Sequence, residues 1–420
     1  MIDKKMKKAI VLGGTDDHIR LIETLQKKGY YTILIDYYPN PPAKKHADLH
    51  LQESILDKEL VLEIAKKYNV KLVISACIDQ ALLTACYVSE KLRLPIPFPY
   101  NTALNVTNKS FMKKNMINSK IPTSKYISIK NIDGNTIERS GLKFPLVVKP
   151  SDSNGSNGVK ILKESVNLIS AFNEAKKISR SNEVIVEEFI EGIELSIDAV
   201  IIKGNVNVLM ITQLNKYYIN ENTSIIFQSL TPADVDEKIK LKIESILNKI
   251  AKTFNLDNTP ILMQVISNND GVYVIEFSPR IGGGSKHKTI KTKTGYDILN
   301  ASVDSFHGKD ITFNKNPCEK YFSRIHLYAK KGVFSEIKFN GVNEEPWFEN
   351  FILYKPIGTK INGARASRDR IGSIFISSNS KDNINKNINR LINRIEIIDE
   401  NNRNIFEYKI YEKKEDKKYE

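Results

Sequence analysis

Between residues 8 and 94 the chain alternates short apolar runs with stretches whose apolar positions recur at helical spacing. KAIVLGG closes an apolar run on Gly13 and Gly14, HIRLIETLQKKG has helical periodicity and stops at Gly29, and YYTILID ends at Asp36. A second helix (LDKELVLEIAKKYN), a third strand (KLVISA) and a third helix (ALLTACYVSEKLRL) follow. Strands separated by helices predict a parallel sheet with crossover helices, whose ligand sites lie at the carboxyl ends of the strands. Gly13, Gly14, Asp36 and Asp79 occupy those ends.

The proline-rich PIPFPYNTALNVTNK places a domain boundary near residue 108. From there to about 310 the pattern changes to strands: FPLVVKP, VKIL, EVIVEEFI, LSIDAVII, NVLMIT, ILMQVIS and VYVIEFS, with one clear amphipathic helix in DEKIKLKIESILNKIAKTFN. Residues 311–420 mix short strands with the helix KDNINKNINRLINRI and end in a charged tail, EKKEDKKYE. The expected organisation is a parallel-sheet α/β domain (1–108), a mixed α+β domain (109–310) and a small β-rich C-terminal domain (311–420).

Composition changes this picture little. The 420 residues carry a net charge of +14, with lysines spread along the whole chain rather than gathered in a stripe. No basic–aromatic module accompanies them, so no nucleic-acid partner is expected, although the field favours anionic small molecules. Three cysteines without a CxxC pair argue against a disulfide framework or zinc site and suit a reducing, cytoplasmic setting. No apolar run approaches the ~20 residues of a membrane helix, and the N-terminal apolar run is too short for a signal-peptide core.

Three segments carry candidate chemistry. In LKFPLVVKPSDSNGSNGVKIL a strand delivers Lys149 to a Ser/Asn/Gly loop, 151–158, whose small residues let backbone N–H groups approach phosphate oxygens. The order is not that of a Walker loop, and a plain glycine-rich hairpin has the same pattern. In VIVEEFIEGIELSIDAV, Glu187 and Glu194 flank the apolar Phe189 and Ile190, a pattern fit for a purine slot with a ribose carboxylate or for an acidic surface strand. In PILMQVISNNDGVYVIEFSPRIGGGS, an NNDG turn joins two strands carrying Gln264 on one and Glu276 and Ser278 on one face of the other. These supply oxygen ligands for magnesium, while Arg280 offers a planar cation for a phosphoryl or carboxylate group. His287, in GGGSKHKTIKTKTG, either lines an acceptor site or is a solvated loop residue. The neighbouring Lys286, Lys288 and Lys291 either meet an anionic substrate group or form a solvated basic loop.

Taken in order and spacing, these segments resemble the ATP-grasp superfamily, and the resemblance covers nearly the whole chain. Residues 1–108 resemble its preceding domain, NKSFMKKNMINSKIPTSKY the start of the ATP-grasp fold, and RIGSIFISSNSKDNINKNINRLINRI the C-terminal domain of its biotin-carboxylase-like branch, which includes amino-acid ligases. The resemblance implies that Lys109 and Lys149 contact ATP phosphates, with Ser156 in the loop closing over them. It places Glu187 at the adenine amino group, Phe189 and Ile190 as backbone hinge, and Glu194 at the ribose. Gln264 and Glu276 match the magnesium positions, with manganese as an alternative ion. Ser278 stands where the family usually has Asn, which puts a second metal in doubt. Arg280 matches the arginine on the transferring phosphoryl or the substrate carboxylate.

What this implies is an ATP-dependent carboxylate–amine ligase. ATP and magnesium activate a carboxylate as an acyl phosphate, loop 151–158 excludes water, and an amine displaces phosphate to give an amide or peptide bond. A homodimer with small-molecule partners is expected, with neither membrane nor nucleic acid. Bicarbonate activation for N-carboxylation and a catalytically silent ATP-binding module are the alternatives. An oxidoreductase is disfavoured because GGTDDH lacks the third glycine of a dinucleotide fingerprint.

Overall fold

The strand Lys7–Leu12 pairs in parallel with Tyr30–Ile35 on one side and Leu72–Ile74 on the other, and Leu49–Leu51 extends the sheet beyond Tyr30–Ile35. Ile10, Val11, Leu12, Ile33, Leu34 and Ile35 are buried, as expected of parallel strands covered on both faces. Helices Asp16–Lys27, Lys58–Tyr68 and Asp79–Lys91 supply the cover. The sequence expectation of an α/β start with its strand ends at Gly13, Asp36 and the 77–79 turn holds.

The computed structural model describes residues 6–153, 157–220, 223–364 and 366–412. The chain divides into two compact units. One comprises Met1–Ser124, Ser196–Ile211 and Val235–Cys318, the other Lys125–Leu195, Thr212–Asp234 and Glu319–Glu420.

In the first unit the parallel sheet is followed by helices Tyr100–Thr107 and Lys109–Asn118. Asn108 caps the second of these, its side chain accepting from the Ser110 and Phe111 amides. A cap of this kind contributes about 1 kcal/mol and fixes Lys109 as the first helical residue. The NNDG segment forms the expected hairpin between Thr259–Ser267 and Val272–Ser278, with the Asn268 side chain accepting from the Asp270 and Gly271 amides. The long helix Glu237–Thr253, capped by Asp236, buries Ile243, Ile246, Leu247 and Ile250 at helical spacing. Of the two readings left open for the lysine-rich stretch after the glycine run, the loop does not hold: the stretch is a helix, Lys286–Thr294. Its only strongly apolar buried position is Ile290, so no hydrophobic stripe announced it.

The second unit contains a four-stranded antiparallel sheet in the order Tyr126–Ile129, Val184–Glu188, Leu146–Pro150, Lys160–Leu162. Helix Leu168–Ile178 packs Phe172 and Ala175 into its core with Leu146, Val148, Val184 and Val186. A C-terminal layer of Tyr321–Leu327, Gly372–Ser378 and Phe348–Leu353 is strongly β, with helix Lys381–Arg394 burying Ile384 and Leu391 against it. The strand Thr223–Thr231, absent from the sequence reading, pairs antiparallel with residues 213–220. Its apolar–polar alternation is broken by a bulge at Asn215/Lys216, which hides the period of two.

A buried histidine in the first unit carries a pH prediction. His18 is wholly buried, with its ring nitrogens on the Thr15 and Ser75 hydroxyls. Burial pushes its pKa down to about 4, against the opposing charges of Asp17 and Asp36. Unfolded histidine titrates near 6.5, so below that pH the unfolded chain binds more protons than the folded one. Stability contributed by neutral His18 is complete above about pH 6.5 and falls by up to about 3 kcal/mol on descending to pH 4. Urea midpoints measured from pH 7.5 to 4.5 should drop in the wild type and drop less in His18→Gln.

Candidate functional site

In the second unit, Lys149 lies on Leu146–Pro150 opposite Ile185, and Glu187 lies two residues along the partner strand on the same face. Their side chains, 5% and 6% exposed as residues, form a buried ion pair. The loop that follows is anchored at its start: the Asp152 carboxylate accepts from the Arg180 and Ser181 amides, and the Ser151 and Ser181 hydroxyls meet. Ser156 lies outside the described residues. Phe189 and Ile190 follow the strand end, both half-buried, and the Phe189 amide donates to Pro145 O at 2.9 Å. The hinge amide at 189 is therefore committed within the fold. Glu194, mostly buried, is paired with Lys216 from the strand Asn205–Asn220. Sequence reasoning passed over Lys216, because its hairpin partner strand was not recognised.

In the first unit, Gln264 stands directly opposite Glu276 across the hairpin, and Leu262 opposite Ser278. Facing residues of an antiparallel pair project to the same side, so Gln264, Glu276 and Ser278 share a face. Lys109 Nζ lies 3.3 Å from Glu276 Oε2. Two residues beyond Ser278, Arg280 donates from Nε to Asp79 Oδ1 (2.5 Å) and from Nη2 to Asp79 Oδ2 (2.9 Å), with Nη1 on Ile281 O. Burial works against the Asp79 carboxylate, but the charge and hydrogen bonds of Arg280 hold its pKa below the usual range. The same exchange raises that of Arg280 against its own burial. Three of the five guanidinium donors point at protein acceptors, which leaves donor capacity for a ligand. Ser278 Oγ is buried with no hydrogen-bond partner among the described residues.

The glycine run is shaped by close approach. A Cβ on Gly282 would come within 2.6 Å of Lys286 Cδ and 2.9 Å of Asp198 Oδ1, and Gly284 has φ +73°. Lys286 is no solvated surface lysine: its Nζ donates to Ser196 Oγ and Asp198 Oδ2, both at 2.6 Å. His287 is buried rather than solvated, with Nδ1 3.3 Å from Asp17 Oδ1. Asp36 is spent on its own turn, accepting from the Gly14 amide at 2.7 Å and the Tyr38 amide at 2.9 Å. Both carboxylate oxygens are engaged in holding this turn.

The donor set was tested against magnesium. Among the described residues no three His, Cys, Asp or Glu side chains gather as a protein-only cage. Glu276 and Gln264 instead offer one carboxylate and one amide oxygen from facing positions. Hard oxygen donors of this number suit a magnesium that takes its remaining ligands from phosphates and water. Among the described residues no helix is long and apolar enough to cross a membrane.

Residues 142–288 match the ATP-grasp domain family. A stretch of 187 residues is 29% identical to the formate-dependent phosphoribosylglycinamide formyltransferase of Wolinella succinogenes, covering 44% of this chain and 48% of that protein. A longer stretch of 284 residues is 22% identical to the L-arginine-specific L-amino acid ligase of Bacillus subtilis, covering 66% of this chain and 68% of that one. The first match spans about half the length of the curated relative. The crystal structure of an L-amino acid ligase from Bacillus licheniformis shares the fold, with a TM-score of 0.79 over 94% of this chain and 100% of that chain at 20% identity. The domain match and the shared fold agree with the order of lysines and carboxylates along the two hairpins: residues 142–288 resemble an ATP-grasp domain, and the chain has the fold of the L-amino acid ligase structure.

Proposed function

We propose that this protein is an ATP-dependent ligase that activates a carboxylate as an acyl phosphate and joins it to an amine, releasing ADP and phosphate. The observation that carries the reading is the face shared by Gln264 and Glu276, with Lys109 against the carboxylate: oxygen ligands and a cation meet where a metal-bound phosphate is to be held. Two relatives support it, one by name a ligase of amino acids and the other dependent on formate, itself a carboxylate.

Each side chain has a role in this reading. Lys149 and Lys109 hold phosphate oxygens, with Lys216 a third cation in reach of the pocket carboxylate Glu194. Glu187, the backbone at Phe189 and Ile190, and Glu194 take the adenine amino group, the base and the ribose. Because the Phe189 amide is used by Pro145, the hinge contact falls to other backbone groups of 189–190. Glu276 and Gln264 hold magnesium, and because Ser278 stands where the family usually has Asn we assign one protein-held ion rather than two. Magnesium, when bound, neutralises charge on the phosphates. Arg280, steadied by Asp79, holds the transferring phosphoryl group or the substrate carboxylate. Ser156 and loop 151–158 shield the acyl phosphate from water. The division at residues 108 and 310, a homodimer, and a cytoplasmic setting belong to the same proposal.

The test is ADP release by the purified protein with ATP and magnesium across carboxylates, amines and bicarbonate. ADP formation that needs one acid and one amine is the expected result. ADP that needs only bicarbonate and an amine would transfer the protein to the carboxylating branch, and failure to bind ATP would overturn the reading.

A further inference from the structure

His287 is the second residue of helix Lys286–Thr294, and its ring is placed by one carboxylate. Asp17 accepts from the Gly284 amide (2.9 Å) and the Ser285 amide (2.7 Å) and lies 3.3 Å from His287 Nδ1. Cys77 Sγ is 3.6 Å from the same carboxylate. Burial opposes the Asp17 charge, but hydrogen bonds from the His287 ring and the Ser285 amide hold its pKa below the usual carboxylate range. A carboxylate held ionised by two amides fixes the proton of His287 on Nδ1 and leaves the lone pair on Nε2. That Nε2 is buried and has no hydrogen-bond partner among the described residues. A buried, orphaned polar atom is costly and calls for a reason.

The other titratable groups around the ring do not fill that role. His18 is turned to Thr15 and Ser75, Cys77 to Asp17 and Thr15, Lys286 to Asp198 and Arg280 to Asp79. Of these, the Nε2 lone pair alone combines an orienting carboxylate with no acceptor or donor of its own.

We propose that His287, oriented by Asp17, takes the proton from the attacking ammonium in the amide-forming step; the assignment rests on the ligase reading above. An amine is a nucleophile only after losing a proton. Nε2 takes one, the nitrogen lone pair forms the C–N bond to the acyl carbon, and the C–O bond to the phosphoryl group breaks. The electron pair leaves with phosphate, and the second N–H proton leaves with it. Each proton and charge is accounted for, and no further reactant is needed. Asp17 is a positioning residue, since it acts only through the ring.

Hydroxylamine separates this step from activation, because it is already unprotonated at neutral pH and intercepts an acyl phosphate without a base. Wild type, His287→Gln and Asp17→Asn are compared with ATP, magnesium and each amino acid in turn as the acid. Hydroxylamine, or a second amino acid as an ordinary amine, is the acceptor. General-base assistance is worth about 10²–10⁴-fold. His287→Gln should lose that factor in amide formation while hydroxamate formation falls less than about threefold. Its amide rate should climb about tenfold per pH unit between 7 and 9, as free amine accumulates, where the wild type is flatter. Asp17→Asn should show the same split at smaller size. Equal losses with both acceptors, or no loss with either, overturn the assignment of His287 and leave the ligase reading standing. A wild type that makes no hydroxamate from any acid overturns the ligase reading itself, and this assignment with it.

Discussion

Replacing Glu276 by Gln should lower ADP release by about 10²–10³-fold, the size found when a group that stabilises transition-state charge is removed. The substitution keeps shape and one oxygen but discards the charge that magnesium binds. It should cost little stability. The Glu276 side chain is 37% exposed and its partner Lys109 13%, and an ion pair with one member open to water is worth about 0–1 kcal/mol. The urea midpoint should stay close to that of the wild type while the magnesium concentration for half-maximal turnover rises. Gln264→Ala should move the same magnesium dependence by less, because an uncharged amide oxygen contributes less to a divalent ion. Unchanged turnover in Glu276→Gln would remove the metal role from this face and, with it, the observation that supports the ligase proposal.

Much of this arrangement was legible in the sequence because it lies on regular strands. KAIVLGG, YYTILID and KLVISA read as a parallel sheet because helical stretches separate them, and the structure pairs them in parallel and buries them on both sides. NNDG announced the hairpin, and with it the facing of Gln264 and Glu276. Lys149 was visible at the end of FPLVVKP as a cation that a strand delivers to a Ser/Asn/Gly loop. The partner itself, Glu187, was read only as an adenine ligand, since strand order cannot be counted from one sequence. What escaped was long-range. Asp79 and Arg280 are separated by most of a domain, as are Asp17 and His287, and nothing local in DQALL or GGTDDH names the partner. The helix Lys286–Thr294 escaped for the opposite reason: its sequence is local but has no apolar stripe. Lys216 was hidden by a bulged hairpin whose second strand mixes polar and apolar positions.

Breaking the Lys149–Glu187 pair should do more to the fold than to any other part of the site, and the cycle of variants tells structure from function. The two side chains are nearly excluded from water. Removing one leaves the other charged, buried and unpaired, at a cost of about 3–5 kcal/mol. Lys149→Ala or Glu187→Ala should therefore lower the urea midpoint of the second unit and abolish ATP-dependent protection together. The double replacement Lys149→Met with Glu187→Leu removes both charges and keeps the volume. Swaps of that kind are neutral or stabilising in buried pairs, so the midpoint should return to near the wild-type value. On the proposed reading ATP protects the wild type in proportion to its occupancy and should give the double variant no protection, because no cation would remain on that strand for the phosphates and no carboxylate for the base. A double variant that regains stability and still responds to ATP would show the pair to be a structural strut of the sheet. A double variant stable but deaf to ATP separates the two roles and leaves Lys149 and Glu187 as nucleotide ligands held in place by each other.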